Sequence, residues 1–101
     1  MEKKEIELQK GYIADSVEVS STSPVSLDVV DTLGRPADIG WIASDDGQIF
    51  VQINGKAKLK ITLELDDVFT FEKEDLWIIK TIDITTDSGT ALTVRYFFRS
   101  A

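Results

Sequence analysis

The stretch Lys58-Leu59-Lys60-Ile61-Thr62-Leu63-Glu64-Leu65 alternates polar and aliphatic residues at every step. This period of two puts Leu59, Ile61, Leu63 and Leu65 on one face of an extended strand, with Lys58, Lys60, Thr62 and Glu64 on the other. Nowhere does the chain hold apolar residues at i, i+3, i+4 and i+7 for three turns, so amphipathic helices are not expected. Val, Ile and Thr supply 28 of the 101 residues, against six Ala and one Met. Their stiffness at χ1 favours pleated, half-buried surfaces.

Turn residues divide the remainder into further strands. Tyr12 to Ser20 and Val25 to Asp31 flank the loop Ser20-Ser21-Thr22-Ser23-Pro24, and Val25, Leu27 and Val29 are expected inward. Gly34 and Pro36 break the chain next. Ile39 to Ala43 is expected to pair with Gln48 to Ile53 across Ser44-Asp45-Asp46-Gly47, and Asn54-Gly55 joins that strand to Lys58–Leu65. Val68 to Phe71 follows Asp66-Asp67. Leu76 to Thr85 and Thr90 to Phe98 then form a last expected hairpin, closed by Thr86-Asp87-Ser88-Gly89. The expected fold is all-β: one domain over residues 1–101, an antiparallel β-sandwich or small jelly roll of seven to eight strands, with residues 1–11 as an N-terminal arm.

Charge and composition narrow the chemistry. Eleven Lys and Arg against eighteen Asp and Glu give a net charge of −7, which repels phosphate backbones and anionic lipid. Neither nucleic acid nor a membrane is an expected partner, and no stretch approaches the roughly 18 apolar residues of a membrane span. The N-terminus lacks an apolar signal core, so a soluble, unprocessed product is expected. With no Cys and no His, thiol nucleophiles, imidazole-based triads and metal ligation through those residues are absent. No Gly-x-Ser-x-Gly elbow or phosphate-binding glycine loop occurs. The carboxylates of Asp45-Asp46, Asp66-Asp67 and Glu72-Glu74-Asp75 sit at expected turns, where Asp bonds its own backbone, and they lack the spacing of a calcium loop. No catalytic residue, metal or cofactor is assigned.

Aromatic placement points to contact surfaces. Phe97 and Phe98 are adjacent, so one must leave the face that sends Leu92, Val94, Tyr96 and Phe98 to the core. Phe97 is the outward one, sharing its face with Arg95 and Arg99, a pairing enriched at protein interfaces. Trp77 and Ile79 lie opposite Leu76 and Ile78 and extend a second apolar face, which self-association would cover. Ile6 and Leu8 alternate with charges in the arm, which either frays or adds a strand to a neighbour. Tyr12, Trp41 and Trp77 form an alternative set, a stacking surface for sugar rings.

The second half of the chain also resembles small β-sandwich virion proteins of tailed bacteriophages. The resemblance rests on Val51-Gln52-Ile53-Asn54-Gly55, on Asp66-Asp67, on Ile82-Asp83-Ile84-Thr85-Thr86 and on Val94-Arg95-Tyr96-Phe97-Phe98. It implies a non-enzymatic capsid-decoration, head or tail component, made in the host cytoplasm and located in the virion. Its implied partners are further copies of itself, a trimer for a decoration protein, and other virion proteins. The reading from a different class is a carbohydrate-binding module or adhesin head built on Tyr12, Trp41 and Trp77.

Overall fold

A computed structural model describes residues 11–72 and 78–100. Among them are eight strands: β1 (Tyr12–Val19), β2 (Val25–Asp28), β3 (Ile39–Ser44), β4 (Ile49–Ile53), β5 (Lys60–Leu63), β6 (Val68–Phe71), β7 (Thr81–Thr85) and β8 (Leu92–Arg99). They form two four-stranded sheets, ordered β1-β8-β3-β6 and β2-β7-β4-β5, in which every pairing is antiparallel. The ladders nest as β4 with β5, β3 with β6, β2 with β7 and β1 with β8. The chain is thus one long hairpin, with its tip at Asn54-Gly55, rolled into an eight-stranded jelly roll. The all-β expectation holds.

Alternation sets the core. Ile49, Val51 and Ile53 of β4 and Ile82 and Ile84 of β7 meet Ile42 of β3 and Val94 and Phe98 of β8, all fully buried between the sheets. Gly40 of β3 lies directly opposite Phe98 on one side and Phe71 on the other. Its missing side chain is what lets those two rings approach, with centroids 6.1 Å apart.

Three local expectations are corrected. Ser44-Asp45-Asp46-Gly47 and Thr86-Asp87-Ser88-Gly89 do not close hairpins, since β3 and β4, and β7 and β8, lie in different sheets. Both segments are arches that carry the chain from one sheet to the other. The strand beginning at Val25 stops at Asp28, whose carboxylate accepts the Asp31 N–H at 3.0 Å and caps a five-residue helix, α1 (Val29–Leu33). Gly34 ends that helix in the left-handed region at φ 90°.

The third correction concerns Ile79, which is fully buried and pairs through its backbone with Ala37. It belongs to the core, not to an outer patch. A straight strand from Leu76 to Thr85 would put residue 79 opposite Ile82 and Ile84, but the strand begins only at Thr81 and the chain bends before it. Asn54 makes that bend. Its Oδ1 accepts from the N–H groups of both Lys80, at 2.6 Å, and Thr81, at 3.2 Å, while its Nδ2 donates to the Ile78 carbonyl at 2.7 Å. Consecutive N–H groups aimed at one acceptor break the alternation, leaving Ile78 exposed and Ile79 inside.

Asn54 also sits at φ 56°, a conformation Asn tolerates better than most residues. Asn54→Ala is expected to cost about 2 kcal/mol, through lost hydrogen bonds and the unfavourable backbone. Asn54→Gly relieves the backbone and still loses the clamp. Urea melts of both variants check this; a glycine variant as stable as the parent would show that the clamp contributes nothing.

Candidate functional site

β1 and β2 are the outermost strands of the two sheets on one side of the roll. Between them and β8 lies a cavity of about 220 Å³. Its apolar floor comes from Ile13 of β1, Leu27 of β2, Val29 of α1 and Phe98 of β8, and its polar rim from Asp15, Ser26, Asp28 and Thr32. Tyr96 of β8 reaches in from the wall.

Each polar group has a distinct status. Asp28 is engaged as the cap of α1, and Ser26 Oγ donates to Asp83 Oδ1 at 2.6 Å. Asp15 accepts the Ser16 N–H at 2.8 Å through Oδ1. Asp15 and Tyr96 are direct partners across the β1–β8 ladder, on the same face as the Ile13–Phe98 and Val17–Val94 pairs. Tyr96 is only 7% exposed, stacks on Phe98 with centroids 5.3 Å apart, and makes no hydrogen bond to a described residue.

Burial pushes the Tyr96 hydroxyl above its ordinary pKa of 10, and the charge of Asp15 adds to the shift. The phenol therefore stays a neutral donor and acceptor across the physiological range. A folded-state pKa raised above the unfolded value gives a stability contribution that is complete below pH ~10 and lost as pH rises through the folded value. The chain has two tyrosines, so Tyr12→Phe leaves Tyr96 alone to report. Its phenolate absorbance is expected to rise with a midpoint above pH 10, moving down in an added Asp15→Asn change. A midpoint at or below 10 would contradict the buried setting.

The outer face of the same sheet holds most of the residues singled out from sequence. Phe97 points outward between Tyr12 and Trp41, with ring centroids 5.9 and 6.4 Å away, and the Arg95 guanidinium lies over the Trp41 ring at 5.6 Å. Arg99 is exposed at the end of β8. Tyr12, Phe97 and Trp41 thus form a row of three rings with interplanar angles of 30° and 21° on this outer face. Ile6, Leu8 and Trp77, and with them the N-terminal arm, lie outside the described residues.

The acidic clusters serve the arches. Asp45 forms a two-pronged pair with Arg95, at 2.6 and 3.0 Å, and Asp46 accepts the Thr93 N–H at 2.7 Å, together holding the β3–β4 arch against β8. The hydrogen bond from Arg95 holds the Asp45 carboxyl below its usual range. Asp67 accepts the Glu64 N–H at 2.8 Å. Among the described residues, no group of three carboxylates is placed to hold a metal ion.

Sequence reasoning passed over Asp15 and assigned Tyr96 to the core. A usable signal was present, because Asp15 interrupts the inward series Ile13, Val17, Val19. The carboxylate is tolerated there because Asp15 is exposed at the edge of the sheet, beside the cavity.

No family model matches the chain, and no curated protein is similar to it. Among solved structures, it is similar to a Salmonella typhimurium LT2 protein described as ethanolamine utilization protein Q, with a TM-score of 0.50 and 14% identity over 90% of this chain and 59% of that one. It is also similar to a cupin-2 domain containing protein from Shewanella frigidimarina NCIMB 400, with a TM-score of 0.49 and 12% identity over 88% of this chain and 71% of that one. The chain thus spans about three-fifths of the first of these structures. The Salmonella protein is not a bacteriophage virion protein, which corrects the virion structural role implied by the sequence resemblance. At such identities the likeness extends to the fold alone: a two-sheet jelly roll, shared with proteins outside the virion.

Proposed function

We propose that the chain is a non-enzymatic small-molecule-binding jelly roll whose ligand occupies the cavity between β1, β2 and β8. The observation that carries this reading is the Tyr96 hydroxyl, on a side chain 7% exposed, without a hydrogen bond to a described residue and lining that cavity. That oxygen is not sealed in the core, since no buried side-chain nitrogen or oxygen among the described residues lacks a partner; it opens on the cavity, where a ligand or water can meet it. The apolar floor with a few convergent polar groups is the usual make-up of a ligand site.

Binding is favoured over catalysis by the lining itself. Among the described residues it contains no imidazole, thiol or amine, and Ser26, its one serine, is tied by its hydroxyl to the Asp83 carboxylate on the neighbouring strand.

A fragment screen followed by amide chemical-shift mapping tests the reading. Binding fragments are expected to shift Ile13, Leu27, Tyr96 and Phe98, and to be lost in Thr32→Trp, which fills the mouth from an exposed helical position. Fragments that bind elsewhere, or that still bind Thr32→Trp equally, would overturn it.

A further inference from the structure

The cavity is electrostatically one-sided. Among the described residues Asp15 and Asp28 line it and no Lys or Arg does, and the chain as a whole carries −7. The two carboxylates differ in what they have left to offer. Asp28 is committed to capping α1, whereas Asp15, exposed at the rim, meets among the described residues only the N–H of the next residue and is the cross-strand partner of Tyr96, whose hydroxyl makes no hydrogen bond to a described residue.

A neutral ligand would gain little from this arrangement, and an anion would be repelled. A protonated amine satisfies both groups at once, since one N–H can reach the carboxylate and a second the phenol oxygen. The space sets the size of the body behind that head. A volume of 220 Å³ corresponds to about seven waters, or a single small ring with a short stem. The faces of Phe98 and Tyr96, with Ile13 and Leu27, suit an apolar body of that size.

We infer that the ligand class is a compact primary ammonium with an apolar body, with Asp15 as its counter-ion and the Tyr96 oxygen as its second acceptor. This inference rests on the cavity being a ligand site, as proposed above. Asp15 and Tyr96 are binding residues here, and no bond is made or broken.

Three probes of one size separate the possibilities by titration calorimetry: benzylammonium, benzyl alcohol and benzoate. Benzylammonium is expected to bind about tenfold more tightly than benzyl alcohol, the scale of one hydrogen bond to a charged group, and benzoate not to bind. In Asp15→Asn the preference for the ammonium should vanish while the alcohol still binds. That variant retains an oxygen for the Ser16 N–H, and circular dichroism checks that it is folded. Tyr96→Phe should weaken ammonium binding with a smaller loss of preference. An alcohol that binds as well as the ammonium, or a preference that survives Asp15→Asn, would overturn the charge assignment and leave the cavity reading standing. If none of the three binds the parent protein, both fall.

Discussion

Gly40→Ala is expected to be among the most destabilising single substitutions in the domain. A Cβ at this position would run into the carbonyl oxygen of Phe97 on the adjacent strand and would stand 3.0 Å from both Phe71 Cζ and Phe98 Cδ1. The rings could rotate slightly, but the carbonyl is backbone and cannot withdraw without opening the β3–β8 ladder. Overpacking against backbone in a sheet centre costs about 3 kcal/mol or more, a large share of the roughly 5–15 kcal/mol available to a domain. Gly40 has no positive φ, so the penalty is steric and Ser should behave like Ala. Urea denaturation reads the result as a fall in midpoint with an unchanged slope. An alanine variant melting at the parent midpoint would mean that β3 and β8 do not approach as described.

Phe98→Ala is the second severe change. Phe98 is fully buried and touches both Phe71 and Tyr96. Deleting such a ring removes its transfer free energy and leaves a hole, a loss of about 3–5 kcal/mol. In a domain this small that lowers the melting temperature by roughly 15–30 °C. Because Phe98 also floors the cavity, the same deletion should weaken any ligand there. Phe98→Leu separates the two effects: it keeps most of the packing, so lost binding with modest loss of stability would mark the ring face as a ligand contact. Thermal melts near the parent value for Phe98→Ala would place this ring outside the core.

The sequence made the strands legible because alternation is local: Ile49, Val51 and Ile53, or Leu92, Val94, Tyr96 and Phe98, declare their inner face within one segment. Partner choice is not local. The turn chemistry of Asp45-Asp46-Gly47 and Asp87-Ser88-Gly89 serves an arch as well as a hairpin, and the outcome depends on residues such as Arg95 and Thr93, far along the chain, that receive Asp45 and Asp46. Asn54-Gly55 does reverse the chain between β4 and β5, both residues taking positive φ, 56° and 68°, but the ladder ends at Gln52–Lys60 and Ala57–Leu59 form a short 3-10 turn, so Lys58 and Leu59 lie outside the strand expected from Lys58 to Leu65. Ile79 was misplaced because alternation was extended through a bend that depends on one distant side chain, Asn54. Of the candidate site, Asp15 was visible as an out-of-pattern charge. Tyr96 was not, since nothing in a strand's own sequence tells whether a buried phenol finds a partner.

Nested ladders also impose an order of assembly. Joining Tyr12 to Arg99 directly closes a loop of nearly the whole described chain, whereas β4 and β5 meet across a short turn. Loop-closure entropy falls as inner ladders form, so the roll is expected to zip from Asn54-Gly55 outward and to complete β1–β8 last. That final ladder is the wall that brings Asp15 opposite Tyr96. The cavity is then the last part of the molecule to come into being and the first to be lost, and hydrogen exchange should find the β1 amides opening at lower free energy than those of β4. Any ligand that bridges Asp15 and Tyr96 would act as a clasp on the outermost ladder and slow its opening.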